Sequence, residues 1–228
     1  MDEDTEKTGW PPDAYFDAGR REMIEKHLKG RDIHSRWVLD AMQRVKRHAF
    51  VPQELADDAY GDFPLPVGYG QTISQPYIVA VMTQLGLGSS STKPQRVLDV
   101  GTGSGYQAAV LAEVAEQVYS VEIIPELADS ARETLRGLGY ENITIRCGDG
   151  HQGWREHAPF DFIIVAAAPH EVPQALKDQL ICGGRLVIPV GVHYQELITV
   201  TQSEPGQFAT EMIIPVRFVP MTGKAQER

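Results

Sequence analysis

The sequence predicts an α/β fold: a doubly wound, mainly parallel sheet with helices on both faces. Three observations lead there. From Arg96 onward short apolar runs alternate with helical runs, the pattern of a parallel sheet threaded by crossover helices. The run FDFIIVAAA (Phe160 to Ala168) is almost continuously apolar, as expected of a strand covered on both faces. LDVGTGSGY (Leu98 to Tyr106) sets three glycines between a strand and a helix, at the carboxyl end of the strand, where such folds bind ligands.

Each element follows in order. Residues 1 to about 12 are acidic, end in Pro11-Pro12 and read as a disordered tail. Residues 13–228 read as one domain, with a helical region over 13–87 and an α/β core over 95–228. A helical pattern runs from Asp13 to Leu28. A second begins near His34, with Trp37, Val38, Ala41, Met42 and Val45 on one face. AFVPQE breaks it, and Pro52 to Ala59 reads as a short helix with proline at an early position. GYGQTISQP (Gly68 to Pro76) is polar, yet it leads into a helix carrying Ile78, Val81, Met82 and Leu85. GSSSTKP (Gly88 to Pro94) is a connector. The core then reads as strand RVLDV, a glycine loop and helix, strand QVYSVE, helix PELADSARETLRGLG capped by Gly139, strand ITIRC, strand FDFIIVAAA, helix VPQALKDQL and strand GGRLVIPVG. ELITVT and EMIIPVRFV close the chain as two further β segments.

Composition removes several classes of function. The chain has 228 residues and a net charge of −10. An acidic surface argues against a nucleic-acid partner, because phosphate binding needs clustered Lys and Arg. The best basic cluster, Lys46-Arg47-His48, reads as a solvated helix end. Cys147 and Cys182 stand far apart in no metal-ligand spacing and read as buried or half-buried free thiols in a reducing compartment. The histidines form no HExxH or paired spacing, so no metal is expected. MDEDTEKTGWPPD has no apolar signal region, and no apolar run approaches the roughly 18 residues of a membrane span. The expectation is a soluble cytoplasmic protein.

The chemistry sits at successive strand ends. Gly101, Gly103 and Gly105 let the backbone turn sharply and bring its amides near a ligand, and the next helix offers its N-terminus. Alone, this is also what a tight strand-to-helix turn looks like. Asp99 precedes the glycines. Glu122 ends the second strand, where a carboxylate can accept from both ribose hydroxyls. GDG (Gly148 to Gly150) follows the third, where Asp149 can accept from an adenine amino group. Singly, Glu122 is also read as a surface charge and Asp149 as a turn former; together they describe an adenosine pocket. No lysine follows the glycines as a phosphate-binding P-loop requires, and the spacing is GxGxG rather than the dinucleotide GxGxxG. A pyrophosphate would be poorly served by Asp99. S-adenosylmethionine, with a sulfonium, an ammonium and no phosphate, tolerates acids nearby.

VLDVGTGSGY, the VE ending in Glu122, GDG and PFDFIIVAAA resemble, in order and spacing, the motifs of class I S-adenosylmethionine-dependent methyltransferases, a Rossmann-like fold. LPVGYGQTISQPYIVAVMTQL, GSGYQAAVLA, GGRLVIPVG and VRFVP resemble, more specifically, the bacterial protein-L-isoaspartate O-methyltransferases, over about Asp32 to Gly223. GQTISQP is the most specific element, since ordinary methyltransferases lack it. The family methylates the α-carboxylate freed when Asn deamidates or Asp isomerises to isoaspartyl. The ester then closes to a succinimide, which reopens partly to aspartyl.

The resemblance implies the same protein-repair activity here, with isoaspartyl proteins and peptides as substrates and S-adenosylhomocysteine as product. It assigns Thr72 and Ser74 as catalytic, with Gln71, Thr72, Ile73, Ser74, Gln75 and Val219 binding substrate. It assigns Asp99, Gly101, Thr102, Gly103, Ser104, Gly105, Tyr106, Glu122, Ile123, Asp149, Gly150 and Ala166 to the cofactor. The plain alternative for Ser74 is an N-cap of the helix starting near Gln75. Arg217 reads as a structural partner alone. The chain departs from the family pattern at Val45-Lys46-Arg47-His48 and in its longer N-terminal region. No nucleic-acid or membrane partner is expected, and a monomer is the working assumption. Competing readings are a methyltransferase for small molecules, a binding protein that recognises isoaspartyl sites without turnover, and an NAD-dependent dehydrogenase.

Overall fold

The computed structural model describes residues 11–223. The tail expected over residues 1–12 lies outside them, apart from Pro11 and Pro12. The sheet order is β5-β4-β3-β6-β7-β8-β9, with β3 Arg96–Val100, β4 Gln117–Glu122, β5 Ile143–Cys147, β6 Phe160–Val165, β7 Leu180–Val190, β8 Gln195–Glu204 and β9 Gln207–Val216. The first five in that order are parallel, and β8 runs antiparallel to both β7 and β9. From β3 the chain winds first to β4 and β5, then returns to place β6 on the other side of β3. The order therefore reverses between β3 and β6, which opens a crevice at their carboxyl ends.

Alternation along each strand feeds two cores. Val97, Phe162, Ile164 and Val187 join one apolar cluster, and Leu98, Val100, Ile163, Val165, Leu186 and Ile188 join the other. Helices α3 (Pro76–Leu87) and α4 (Tyr106–Val114) bury Val79, Ala80, Met82, Ala108, Leu111 and their neighbours in the first cluster. Both helices are apolar nearly all round, as a helix needs to be when it lies between a sheet and a further layer. That layer is the N-terminal region: α1 (Asp17–Glu22), its wider π-helical continuation Met23–Lys29, and α2 (Arg36–Arg44). Helix α5 (Pro125–Gly137) carries Leu127, Ala131 and Leu135 on its buried face; beyond it Gly139 takes a positive φ, as expected of a capping glycine.

Several expectations are corrected. Lys46-Arg47-His48 is not a solvated end. Arg47 is 0% exposed and His48 6%. The Arg47 guanidinium lies 4.7 Å from the Tyr106 ring centroid and donates to the Ala59 carbonyl, and the His48 ring stacks on Phe16 at 3.9 Å. Burial lowers the His48 pKa to about 4. Both cysteines are exposed rather than buried. The helix expected over VPQALKDQL shortens to α6 (Gln174–Lys177), because Gln179 turns its side chain onto the Trp154 amide and the Gln152 and Ala175 carbonyls before β7 begins. The last two strands are longer than apolar patterning suggested and meet at a Pro205-Gly206 turn. Pro52 to Ala59 forms a 3₁₀ helix over Gln53–Asp58.

Candidate active site

The crevice is built from four segments. The first is the glycine loop after β3. Gly101, Gly103 and Gly105 all have positive φ, at 94°, 53° and 91°. Residues with a Cβ rarely take this conformation, which explains why the loop spaces its glycines as it does. Its backbone is pinned by Gly101 N to Val121 O (2.8 Å) and Gly105 N to Thr102 O (2.8 Å). Beneath it runs a chain of hydroxyls: Thr102 bonds Ser120 (2.5 Å), and Ser120 donates to Asp99 Oδ2 (2.7 Å). Asp99 is 0% exposed, and its Oδ1 has no partner. Burial raises its pKa to about 7; the Glu122 charge adds to the rise and the Ser120 hydrogen bond opposes it.

The second segment is the end of β4. Glu122, 5% exposed, accepts from Gly103 N through Oε2 (2.7 Å) and from Ile124 N through Oε1 (3.0 Å). One carboxylate thus fixes two loops, and with about four lone-pair sites it retains acceptor capacity for a ligand. Nearby, a Cβ on Gly150 would lie 2.4 Å from Val100 Cγ1, so only glycine lets that turn close on the strand end.

The third segment precedes α3. Strands β1 (Leu65–Gly68) and β2 (Gln71–Ile73) form a small antiparallel hairpin, so the polar stretch is ordered structure rather than a plain surface turn. Gln75 occupies the cap position of α3, and no side chain at that position caps the helix. The reading of Ser74 as an N-cap is therefore overturned. Asp62 does that work instead, accepting from the Tyr77 amide (3.2 Å) and from Gln75 Nε2 (2.8 Å). The Ser74 hydroxyl is left available.

The fourth segment is the strap after β9. Val219 O accepts from Ala168 N, Met221 N donates to Ala168 O, and the Gln195 amide clamps both backbone groups of Phe218. The strap thereby lies across the carboxyl end of β6.

Together these segments enclose two adjoining spaces. The inner cavity, about 230 Å³, is lined by Gln71, Thr72, Ile73, Ser74, Gly101, Thr102, Gly103, Ser104, Tyr106, Glu122, Ile123, Gly150, Ala166 and Val219, all expected site residues. The sequence reading missed its apolar walls, among them Val79, Val100, Val121, Ile124 and Met221, which only the fold brings together. The outer groove, about 820 Å³, is lined by Pro64, Thr72, Ser74, Gln75, Ile78, Ala166 and the strap from Pro215 to Pro220. Thr72, Ser74, Ala166, Val219 and Pro220 belong to both.

Three expected cofactor residues do not line the inner cavity. Asp99 lies behind the loop and reaches it only through Ser120 and Thr102. Gly105 packs against α5, where a Cβ on it would lie 3.2 Å from Leu135 Cδ1 and 3.4 Å from Ala131 Cβ. Asp149 accepts from the His151 amide and sits beside Gly150, one residue outside the lining. Arg217, expected as a structural partner, is exposed and lines the groove.

No Lys, Arg or His is among the described residues lining the inner cavity, and its one carboxylate is Glu122. That donor set suits a cofactor with hydroxyls and positive charge and without phosphate. It fits S-adenosylmethionine and serves a pyrophosphate poorly. Among the described residues no group of three or more His, Cys, Asp or Glu side chains is placed to hold a metal ion, and no helix is long and apolar enough to cross a membrane.

A doubly wound sheet with a phosphate-free adenosine pocket at its switch point defines a Rossmann-like, S-adenosylmethionine-dependent methyltransferase. Residues 18–226 match the family model of the protein-L-isoaspartate(D-aspartate) O-methyltransferases. The chain is 52% identical over 221 residues to the protein-L-isoaspartate O-methyltransferase of Synechococcus sp., covering 92% of this chain and 89% of that one. It is 50% identical over 201 residues to the enzyme of the same name from Gloeobacter violaceus, covering 88% and 97%. A crystal structure of a putative protein-L-isoaspartate O-methyltransferase from Plasmodium falciparum, in complex with S-adenosyl-L-homocysteine, superposes with a TM-score of 0.78 at 26% identity, covering 89% of this chain and 98% of that one. The chain belongs to the protein-L-isoaspartate(D-aspartate) O-methyltransferase family.

Proposed function

We propose that Thr72 and Ser74 hold the α-carboxylate of an isoaspartyl residue at the junction of groove and cavity, where a damaged protein is methylated for repair. The observation that carries this is the shared wall: both hydroxyl residues face the cofactor cavity and the peptide groove at once. When bound in the inner cavity, S-adenosylmethionine supplies the electrophilic methyl group.

The groove needs no general base. A carboxylate with a pKa of about 3.5–4 is already ionised at neutral pH and is its own nucleophile. The described groove residues include no His, Asp, Glu or Lys, and Arg217 is their one cation. Hydroxyl donors suit an anion that must be held without being protonated. Alignment is then the main contribution of the protein, and positioning of this kind is worth up to about 7–11 kcal/mol. Arg217 adds a positive charge at the groove mouth that favours an anionic residue. Glu122 and the Gly103 turn hold the ribose side, and Asp149 stands at the adenine end.

The helical N-terminal region and the sheet work as one methyltransferase domain in this reading, since a single apolar cluster runs through both. The net charge of −10 favours an enzyme that acts without nucleic acid and as a monomer, and a cytoplasmic location completes this reading. The test is transfer of labelled methyl to a matched peptide pair. Base-labile label on the isoaspartyl peptide and none on its aspartyl twin supports the reading. Equal labelling of the two overturns it.

A further inference from the structure

Gln75 lines the groove beside Ser74, and its side chain is held at one end only. Nε2 donates to Asp62 Oδ2 at 2.8 Å. A carboxylate only accepts, so this partner fixes which end of the amide is nitrogen. The oxygen, Oε1, receives no hydrogen bond from the described residues. Asp62 is itself fixed from three directions. Its Oδ2 also accepts from Arg31 (3.2 Å), its Oδ1 accepts from the Tyr77 amide (3.2 Å), and the Arg31 guanidinium lies 3.3 Å from the Tyr77 ring centroid. A rigid carboxylate therefore pins a flexible amide and turns it into an oriented acceptor beside two hydroxyl donors.

We propose that Gln75 Oε1 accepts the backbone N–H of the isoaspartyl residue itself, with Asp62 as the positioning residue, and that this pairing helps tell isoaspartyl from aspartyl. The inference rests on the groove being the isoaspartyl site. An acceptor cannot bind the substrate carboxylate, so it must read a donor, and the nearest donor on the peptide is that N–H. In isoaspartyl the nitrogen is two bonds from the carboxylate carbon, because both sit on Cα. In aspartyl the side-chain carboxylate is three bonds away. A donor and an acceptor held at fixed spacing favour one arrangement over the other without touching the rest of the chain. A half-buried amide that the wrong substrate covers and leaves unpaired is an effective means of rejection.

The test measures kcat and KM on the isoaspartyl peptide and on an analogue in which an ester oxygen replaces the isoaspartyl N–H. Wild type should lose about tenfold in kcat/KM on the analogue, the scale of one hydrogen bond. Gln75→Ala should lose about tenfold on the peptide, mostly in KM, and nothing more on the analogue. Asp62→Asn keeps one acceptor for the Tyr77 amide and puts a donor against Gln75, which turns its amide over and presents Nε2 to the groove. It should therefore lose in the same direction, and the double variant should lose no more than Gln75→Ala alone. Cofactor affinity should stay within twofold and thermal stability of Gln75→Ala within a few degrees. Losses that multiply between Gln75→Ala and the analogue, an unmoved KM, or a matching loss of cofactor affinity overturns the inference while leaving the isoaspartyl reading intact. Wild type that labels neither peptide overturns both.

Discussion

The two halves of the site are built by different means. On the cofactor side the framework is backbone: Gly101 N to Val121 O, Gly105 N to Thr102 O, Gly148 N to Glu122 O and Ala166 N to Val100 O lock the strand-end loops to one another. Side chains enter mainly as Glu122 and the buried Thr102–Ser120–Asp99 chain. On the substrate side the framework is side chains from distant parts of the sequence. Asp62 and Arg31 fix the start of α3, and Gln195 holds the strap that brings Val219. A backbone framework can be recognised in a short motif. A side-chain framework is visible only once the chain is folded.

The sharpest break in this comparison is Glu122→Ala. It removes two charge-assisted hydrogen bonds that hold loops, together with the acceptor proposed for the ribose. Cofactor affinity should fall on the order of 100-fold, since hydrogen bonds to charged groups are worth about 1.5–3 kcal/mol. Titration calorimetry checks it, and an unaltered Kd would remove Glu122 from the ribose site. Ser74→Ala should do the opposite: kcat on the isoaspartyl peptide falls about 30-fold, on the scale of a lost anion contact, while cofactor affinity stays within twofold. A large loss of cofactor affinity would move Ser74 to the cofactor side.

How legible each half was follows the same division. Gly101, Gly103 and Gly105 could be read because positive φ restricts the choice of residue, and Glu122 because it stands at the end of a strand in an alternating pattern whose neighbouring strand ends also carry acids. Thr72 and Ser74 came from the resemblance rather than from periodicity. Asp62 escaped because an acid before Phe-Pro-Leu-Pro looks like a turn residue, and its three donors lie 13 to 31 positions away. Arg47 and His48 were misread because a cluster of basic residues carries no sign of the Tyr106 and Phe16 rings that cover it. Asp99 was read as a ligand contact; nothing in DVGTGSG distinguishes an acid that faces the cavity from one that supports the loop from behind.

Asp99 and His48 sharpen the comparison through pH. A carboxyl raised from 3.8 to about 7 binds its proton more tightly in the folded state. Its stabilising contribution is complete below pH 3.8 and is lost as the pH rises through about 7. A histidine lowered from 6.5 to about 4 contributes stability that is present above pH 6.5 and lost as the pH falls toward 4. The two oppose each other across that window, so wild-type stability should be flatter than that of either variant. Asp99→Asn should gain relative to wild type as the pH rises from 4 to 7, and His48→Gln as it falls from 6.5 to 4. The expected change is up to about 4 kcal/mol for Asp99, from about three pK units, and about 1–2 kcal/mol for His48. The buried amide nitrogen that Asp99→Asn leaves lowers stability equally at every pH and does not alter the slope. Urea unfolding at four pH values decides it, and parallel curves would show that neither group titrates with folding.

The smallest effect concerns the hairpin. Tyr69 is the one non-glycine among the described residues with a positive φ, 53°, and it sits between Gly68 and Gly70, which share that conformation. It is 61% exposed, so no core packing holds it there. A residue with a Cβ in this region costs about 1–2 kcal/mol, while glycine relieves that strain but loses about 0.5–1 kcal/mol through its freer unfolded chain. Tyr69→Gly should therefore leave stability unchanged or raise it by up to about 1 kcal/mol. If peptide KM rises while stability does not fall, the hairpin turn holds an exposed aromatic ring for the substrate at the expense of local strain, as functional segments do. A drop in stability beyond 1 kcal/mol would mean that the ring packs in solution and that the substrate side is as firmly built as the glycine loop.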